Sequence, residues 1–286
     1  MRNGRHWGAR EVTVAYGGNL ALRDVTLEVP EGQVSAVVGG DGAGKSTLLR
    51  CLAGAVRPTS GEVSAPPQHE IGFVPAVTGV WSELTVAENV QFVAAAYRIT
   101  GKELHRRRDE VLGSAGLDDV LGRQAGMLSG GMRHKLAFSL AMLHSPRLLI
   151  LDEPSTGIDP VSRVELWRLI AQAAVTGTAV AMATTYLDEA ERCATVLVLD
   201  EGRALRSGTP DEIIDGVPGT IVATHDPADP ESAWRRGRIF HAWSPGPPRE
   251  GDEPIAADME DAVVAAALHA RVEAGRRQTI PDKGAS

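Results

Sequence analysis

The stretch Gly39-Gly40-Asp41-Gly42-Ala43-Gly44-Lys45-Ser46 constrains this chain more than any other part of it. It follows the short apolar run Val34 to Val38 and precedes a helical pattern from Lys45 through about Ala53 that Gly54 ends. Strand, glycine-rich turn and helix therefore follow one another without a gap. In such a turn the backbone N–H groups face inward and the helix N-terminus adds its dipole, so phosphate is the ligand the geometry attracts. The pattern predicts that Lys45 reaches β- and γ-phosphates and that Ser46 holds magnesium. Chance supplies such an octapeptide in roughly a few of every hundred chains of this length, so its place between strand and helix carries the argument.

The elements around it read as an α/β protein. Glu11 to Tyr16 and Leu22 to Val29 alternate about Gly17-Gly18, a hairpin-like opening. Between Thr85 and Gly126 the period becomes helical, with Val86, Val90, Val93 and Tyr97 on one face and Arg106-Arg107-Arg108 on the next helix, expected to be a solvated face. Leu148 to Asp152 is a buried strand, Val161 to Thr176 a helix, and Ala179 to Ala183 and Thr195 to Asp200 two more strands. Strands alternating with helices imply a mainly parallel sheet covered on both faces. Thr209-Pro210-Asp211-Glu212 opens a further helix with a capping box. Beyond about Gly216 the pattern gives strands over Thr220 to Ala223 and Arg238 to Trp243, a Pro/Gly segment, a helix from about Met259 to Ala274 and a polar end expected to fray.

Composition narrows the function. A formal net charge of −8 offers no basic footprint for a nucleic-acid backbone, so nucleic acid is not an expected partner. Cys51 and Cys193 lie far apart without disulfide or zinc spacing, the eight histidines show no ligand spacing, and the basic start Met1 to Gly8 lacks a signal peptide's apolar run. A cytoplasmic chain is expected. Leu169 to Leu187 carries no charge, yet Gln172, Thr176-Gly177-Thr178 and Thr184-Thr185 divide it into helix end, turn and strand rather than a membrane span.

Two further motifs carry chemistry. In Leu148-Leu149-Ile150-Leu151-Asp152-Glu153-Pro154 a carboxylate pair ends a buried strand, where an open parallel sheet binds its ligands. Asp152 suits a role beside magnesium, and Glu153 can polarise an attacking water. Leu128-Ser129-Gly130-Gly131-Met132 puts a serine and two small residues before a second helix, a second anion-seeking end. Two phosphate-seeking helix ends on separate subdomains make sense when two copies face each other and share nucleotide.

In this order the motifs resemble those of ATP-binding cassette (ABC) transporter ATPases, over about Glu11 to Ile214. The resemblance implies that Gly39, Gly40, Asp41, Gly42, Ala43, Gly44, Lys45, Ser46 and Thr47 form Walker A, that Ile150 to Glu153 ends Walker B, and that Ser129, Gly130 and Gly131 form the signature that meets ATP on a partner chain. It further implies that Tyr16 stacks on adenine and that Thr156 to Pro160, with Asp159, is the D-loop. The implied fold is a P-loop NTPase of ABC type over 1–215: a mainly parallel core, an N-terminal antiparallel β subdomain and a helical subdomain over about 77–145. A small α+β extension over 216–274 and a disordered tail over 275–286 complete the expectation. Tyr186 to Glu191, Ser207 to Pro210 and Asp258 to Ala262 are similar to the drug-resistance and multidrug-export branch, whose ATPases are separate from their permeases.

That resemblance implies an ATPase using ATP and Mg2+, with Glu153 and Lys45 catalytic and Ser46 and Asp152 at the metal. Its implied partners are a membrane permease and a second cassette, identical or different, at the inner face of the cell membrane. Two positions depart from the family pattern. Ala76 stands where the family has a glutamine, and Thr185 where it has a switch histidine. A slow site is therefore expected, and a nearly inactive regulatory cassette is an alternative. A soluble ABC ATPase of translation or repair is another, although the second cassette, coiled-coil or zinc insertion that marks those classes is missing from this sequence.

Overall fold

The computed structural model describes residues 6–77, 79–249 and 252–278. In chain order the elements are β1 (His6–Tyr16), β2 (Asn19–Pro30), β3 (Val34–Val38), α1 (Lys45–Leu52), β4 (Ser60–Ser64), β5 (Ile71–Val74), α2 (Val86–Ala96), α3 (Gly101–Ala115), α4 (Gly130–Met142), β6 (Leu148–Asp152) and α5 (Pro160–Val175). They continue as β7 (Ala179–Thr184), α6 (Leu187–Ala190), β8 (Thr195–Asp200), β9 (Arg203–Gly208), α7 (Pro210–Asp215), β10 (Thr220–Thr224), β11 (Ala233–Arg236), β12 (Ile239–Ser244), β13 (Glu253–Pro254) and α8 (Met259–Gln278).

A six-stranded sheet in the order β5-β6-β7-β3-β8-β9 forms the centre, parallel except for β9, which runs antiparallel to β8. β3, β6 and β7 are buried at every residue, which is why they read as continuous apolar runs instead of alternating ones. One core joins the central sheet to α1 and the sheet β2-β1-β4, through Val12, Val25, Leu48, Leu52, Ile150 and Leu197. Another lies on the opposite face, with Leu149, Leu151, Leu166, Trp167, Val180 and Met182.

β1 begins at His6, earlier than the alternation over Glu11 to Tyr16 predicts, because irregular register breaks that alternation near Glu11, whose φ is +52°. β4 also escapes the sequence pattern: Ser-Gly-Glu-Val-Ser has little strand propensity, and pairing with β1 supplies the order. α2, α3 and α4 enclose a separate core of Val86, Val90, Leu112, Leu117, Leu136 and Leu143. On α3, Arg106 is exposed and pairs with Glu103 and Glu110, whereas Arg107 and Arg108 are half-buried, Arg107 pairing with Glu103 and donating to the Leu143 carbonyl, so the expected solvated face holds for Arg106 alone.

The C-terminal part is a four-stranded antiparallel sheet, β11-β12-β10-β13, with α8 against it. The two predicted strands are β10 and β12; β11 and the two-residue β13 are additions. α8 continues to Gln278, so the fraying expected from Gly275 is corrected for 275–278, and 279–286 lie outside the described residues. Asp261 is 1% exposed and explains how this sheet and helix are joined: its carboxylate accepts from Trp234 Nε1 at 3.2 Å, contacts His241 Nδ1 at 2.8 Å and accepts from the Asp258 N–H at 3.1 Å. Among the described residues no helix is long and apolar enough to cross a membrane.

Candidate nucleotide site

β3 ends at Val38 and delivers the chain into the glycine turn. At Gly39 φ is +152°, and a Cβ would stand 2.1 Å from the Leu199 carbonyl oxygen, so β8 leaves room for glycine alone. α1 starts at Lys45 with Gly44 as its N-cap and no side-chain cap. Its first-turn N–H groups therefore stand at the wall of a cavity of about 230 Å3 lined by Ala21, Glu153 and the continuous stretch Asp41 to Thr47. The cavity is open and smaller than the 300 Å3 or so at which small-molecule sites usually begin, so it suits phosphates and leaves the rest of a nucleotide to be covered from outside.

Lys45 is only 5% exposed, and its Nζ donates to the carbonyls of Gly39 at 2.8 Å and Gly40 at 3.1 Å. The same ammonium lies 3.6 Å from Glu153 Oε1. Cation and carboxylate thus meet where a terminal phosphate would enter. Ser46 Oγ donates to Asp152 Oδ1 at 3.0 Å. Burial raises the Asp152 carboxyl above its ordinary range, and the Ser46 hydrogen bond works against that. A hydroxyl and a buried carboxylate, both oxygen donors, fit a hard divalent cation such as magnesium.

Glu153 follows the last residue of β6 and takes φ +52°, a left-handed conformation that costs a non-glycine residue about 1–3 kcal/mol. The following Pro154 restricts it further. The turn is held by the Glu153 N–H on the Ala183 carbonyl at 2.9 Å and by Thr156 Oγ1 donating to Glu153 Oε2 at 3.3 Å. From the helical subdomain, His134 Nδ1 lies 2.5 Å from the Pro154 carbonyl oxygen.

The other expected site residues lie outside that cavity's lining. Tyr16 is exposed at the end of β1, paired with Asn19 across the hairpin. Ser129 caps α4, its Oγ accepting from the Met132 N–H at 3.2 Å, and Gly130 opens the helix. Gly131 has no room for a side chain, because a Cβ would fall 2.1 Å from Ser162 Oγ on α5. Asp159 caps α5, its Oδ1 accepting from the Val161 and Ser162 N–H groups at 3.0 Å each, and hydrogen bonds from Ser162 hold its carboxyl below the usual range. Ser129, Gly130, Gly131 and Asp159 thus gather where the N-termini of α4 and α5 meet.

Ala76 and Thr185 are both exposed, Ala76 just after β5 and Thr185 just after β7. Two bracing residues escaped the sequence reading. Asn89, fully buried, donates from Nδ2 to the Trp81, Leu84 and Thr85 carbonyls and accepts from the Trp81 N–H, which fixes the segment before α2. Glu189 accepts from Thr184 Oγ1 at 2.6 Å, and the Tyr186 N–H donates to that same hydroxyl at 3.0 Å, so the loop carrying Thr185 is tied down. A buried Asn or Glu on an amphipathic helix carries no distinguishing sequence signal without its partners.

The ABC transporter family matches residues 22–156. The chain is 36% identical over 209 residues to the probable multidrug ABC transporter ATP-binding protein YbhF of Escherichia coli, an alignment covering 70% of this chain but 36% of YbhF. It therefore spans about a third of that relative's length. It is 35% identical over 218 residues to the daunorubicin resistance ATP-binding protein DrrA2 of Streptomyces coeruleorubidus, covering 72% of this chain and 68% of that protein. The dimeric bacterial ABC transporter cassette MJ0796 superposes with a TM-score of 0.64 at 26% identity, over 71% of this chain and 98% of that one. Its phosphate loop, its carboxylate pair and this extent of shared sequence place the chain in the ABC transporter family, as one of its ATP-binding cassettes.

Proposed function

We propose that the chain binds and hydrolyses ATP to drive export through a separate membrane permease, working at the inner face of the membrane. The observation that carries this is the meeting of Lys45 and Glu153 at 3.6 Å across a cavity walled by the backbone of Asp41 to Thr47. Lys45 and the α1 N-terminus would hold the β- and γ-phosphates, and Ser46 and Asp152 would hold magnesium. Bound magnesium would offset the charge of the phosphates as the terminal group transfers to water. Glu153 would orient that water and take up its proton, so the chain contributes mainly position and charge.

The helix end at Ser129 to Gly131 lies outside the cavity lining, so it would act on ATP held by a second cassette, most simply a second copy. YbhF and DrrA2 carry multidrug and drug-resistance names, which supports export as the direction. Because neither Ala76 nor Thr185 offers a side chain that reaches a γ-phosphate, a slow site is part of this reading. Glu153→Gln tests it. ATP binding is expected to persist while turnover falls at least about a hundredfold, in line with the loss of one positioned catalytic group. Undiminished turnover in that variant would contradict the role given to Glu153.

A further inference from the structure

We infer that His134 is a positioning residue for Glu153, linking the helix that begins at Ser129 to the turn that carries the carboxylate. The inference rests on the proposed role of Glu153. Only a nitrogen bearing hydrogen can bond to a carbonyl, so the 2.5 Å contact with the Pro154 oxygen requires hydrogen on His134 Nδ1. The turn it reaches is held in an unfavourable backbone conformation, with φ +52° at Glu153, and such a conformation persists only where its surroundings fix it.

The other restraints on Glu153 come from the central sheet, from the turn itself and from the phosphate loop, through Ala183, Thr156 and Lys45. His134 differs, because it stands on α4. The start of α4 is itself rigidly placed. Gly131 lies so near Ser162 that a Cβ would stand 2.1 Å from its Oγ, and Lys135 Nζ pairs with Glu165 of α5 at 2.9 Å. A displacement at the Ser129 end of α4, such as contact with a nucleotide on a second cassette would produce, therefore reaches the carbonyl next to Glu153 through a single side chain. His134 neither lines the cavity nor belongs to the magnesium pair, so its loss should act on the rate and leave ATP binding alone.

The test compares His134→Asn and His134→Leu in the full chain, measuring Mg·ATP turnover against ATP concentration, with Glu153→Gln alongside. Asn places an amide N–H where Nδ1 lies; Leu has the same shape without a donor and the higher helix propensity. A structural role for His134 would favour Leu, since thermal stability should follow propensity. Positioning predicts the opposite order in activity. With Leu, kcat should fall about three- to tenfold at unchanged KM, and Asn should restore most of it, the size expected for one hydrogen bond. If the Leu variant folds poorly, His134→Ala replaces it with the same expectation. Wild-type kcat in the donor-less variant, beside an inactive Glu153→Gln, would overturn the inference alone. Equal loss in the Asn and Leu variants would also overturn it. An active Glu153→Gln would overturn the reading of Glu153, and this inference with it.

Discussion

Ala76 and Thr185 set the rate expected of the site at the scale of single residues. A side-chain donor aimed at developing charge is worth about 10²–10³ in rate, and threonine is too short to replace an imidazole. A water ordered by its hydroxyl would recover part of the expected loss. Both positions are exposed, so larger side chains enter without repacking. The double substitution Ala76→Gln, Thr185→His is therefore expected to raise Mg·ATP turnover at least about tenfold with little change in thermal stability. A steady-state assay decides: an unchanged rate would show that neither position limits the reaction. These two departures were legible only through the family resemblance, which supplies the glutamine and the histidine they replace. Lys45, Ser46, Asp152 and Glu153 were legible for the complementary reason, since their residue types and spacing are demanded by phosphate and metal chemistry. The braces Asn89, His134 and Glu189 were not, because each is defined by a carbonyl or hydroxyl distant in sequence.

Among the elements, the central strands and the site helices follow from pattern, whereas β4, β11 and β13 depend on neighbours that local propensity does not encode. The junction between the helical subdomain and the central sheet provides a pH test. His144, just beyond α4, stacks on Tyr97 with ring centroids 3.8 Å apart and contacts the Ile71 carbonyl through Nε2 at 3.1 Å. Burial first, and then the nearby Arg107 and His69, lower its pKa to about 4, against the Ile71 hydrogen bond. The neutral ring is thus preferred in the folded chain. As pH falls below the unfolded value near 6.5, the unfolded chain takes up the proton first, and stability drains away until about pH 4. His144→Phe keeps the stack and removes the titration. Urea unfolding from pH 7 to 4 should then show a shallower loss, by up to about 1.4 kcal/mol per pH unit. An identical slope in both proteins would assign the acid sensitivity elsewhere.

For the whole molecule, the C-terminal sheet and α8 are joined to the cassette through its own core. Met259, 1% exposed at the start of α8, and Ala262 belong to the same apolar cluster as Ala190, Cys193 and Ile213. Met259→Ala should cost about 2–5 kcal/mol, as large-to-small changes in a core do. The melting transition that ATP shifts should fall by several degrees as one unit. A separate early transition, with the ATP-sensitive one unmoved, would mean that residues 216–278 fold apart from the cassette. The sequence predicted an extension of this size, but the continuity of its core with that of the cassette depends on which face of α8 is buried, and α8 is too uniformly alanine-rich for its pattern to reveal that.

The central claim is that each nucleotide lies between the Lys45 loop of one copy and the Ser129 to Gly131 helix end of another. Two inactive variants test it when mixed. Lys45→Ala removes the phosphate cation from one end. Gly130→Glu adds a carboxylate to the other, at a position where a Cβ meets only the Gly157 oxygen at 3.8 Å and where an acidic residue suits the helix dipole, so folding is preserved. In a mixed dimer one site combines the intact loop of one chain with the intact helix end of the other. Co-expressing or mixing the two variants and measuring ATP turnover should therefore restore roughly a quarter of the wild-type rate, since about half the dimers are mixed and each holds one complete site of two. A mixture no more active than its separate components would contradict the shared site.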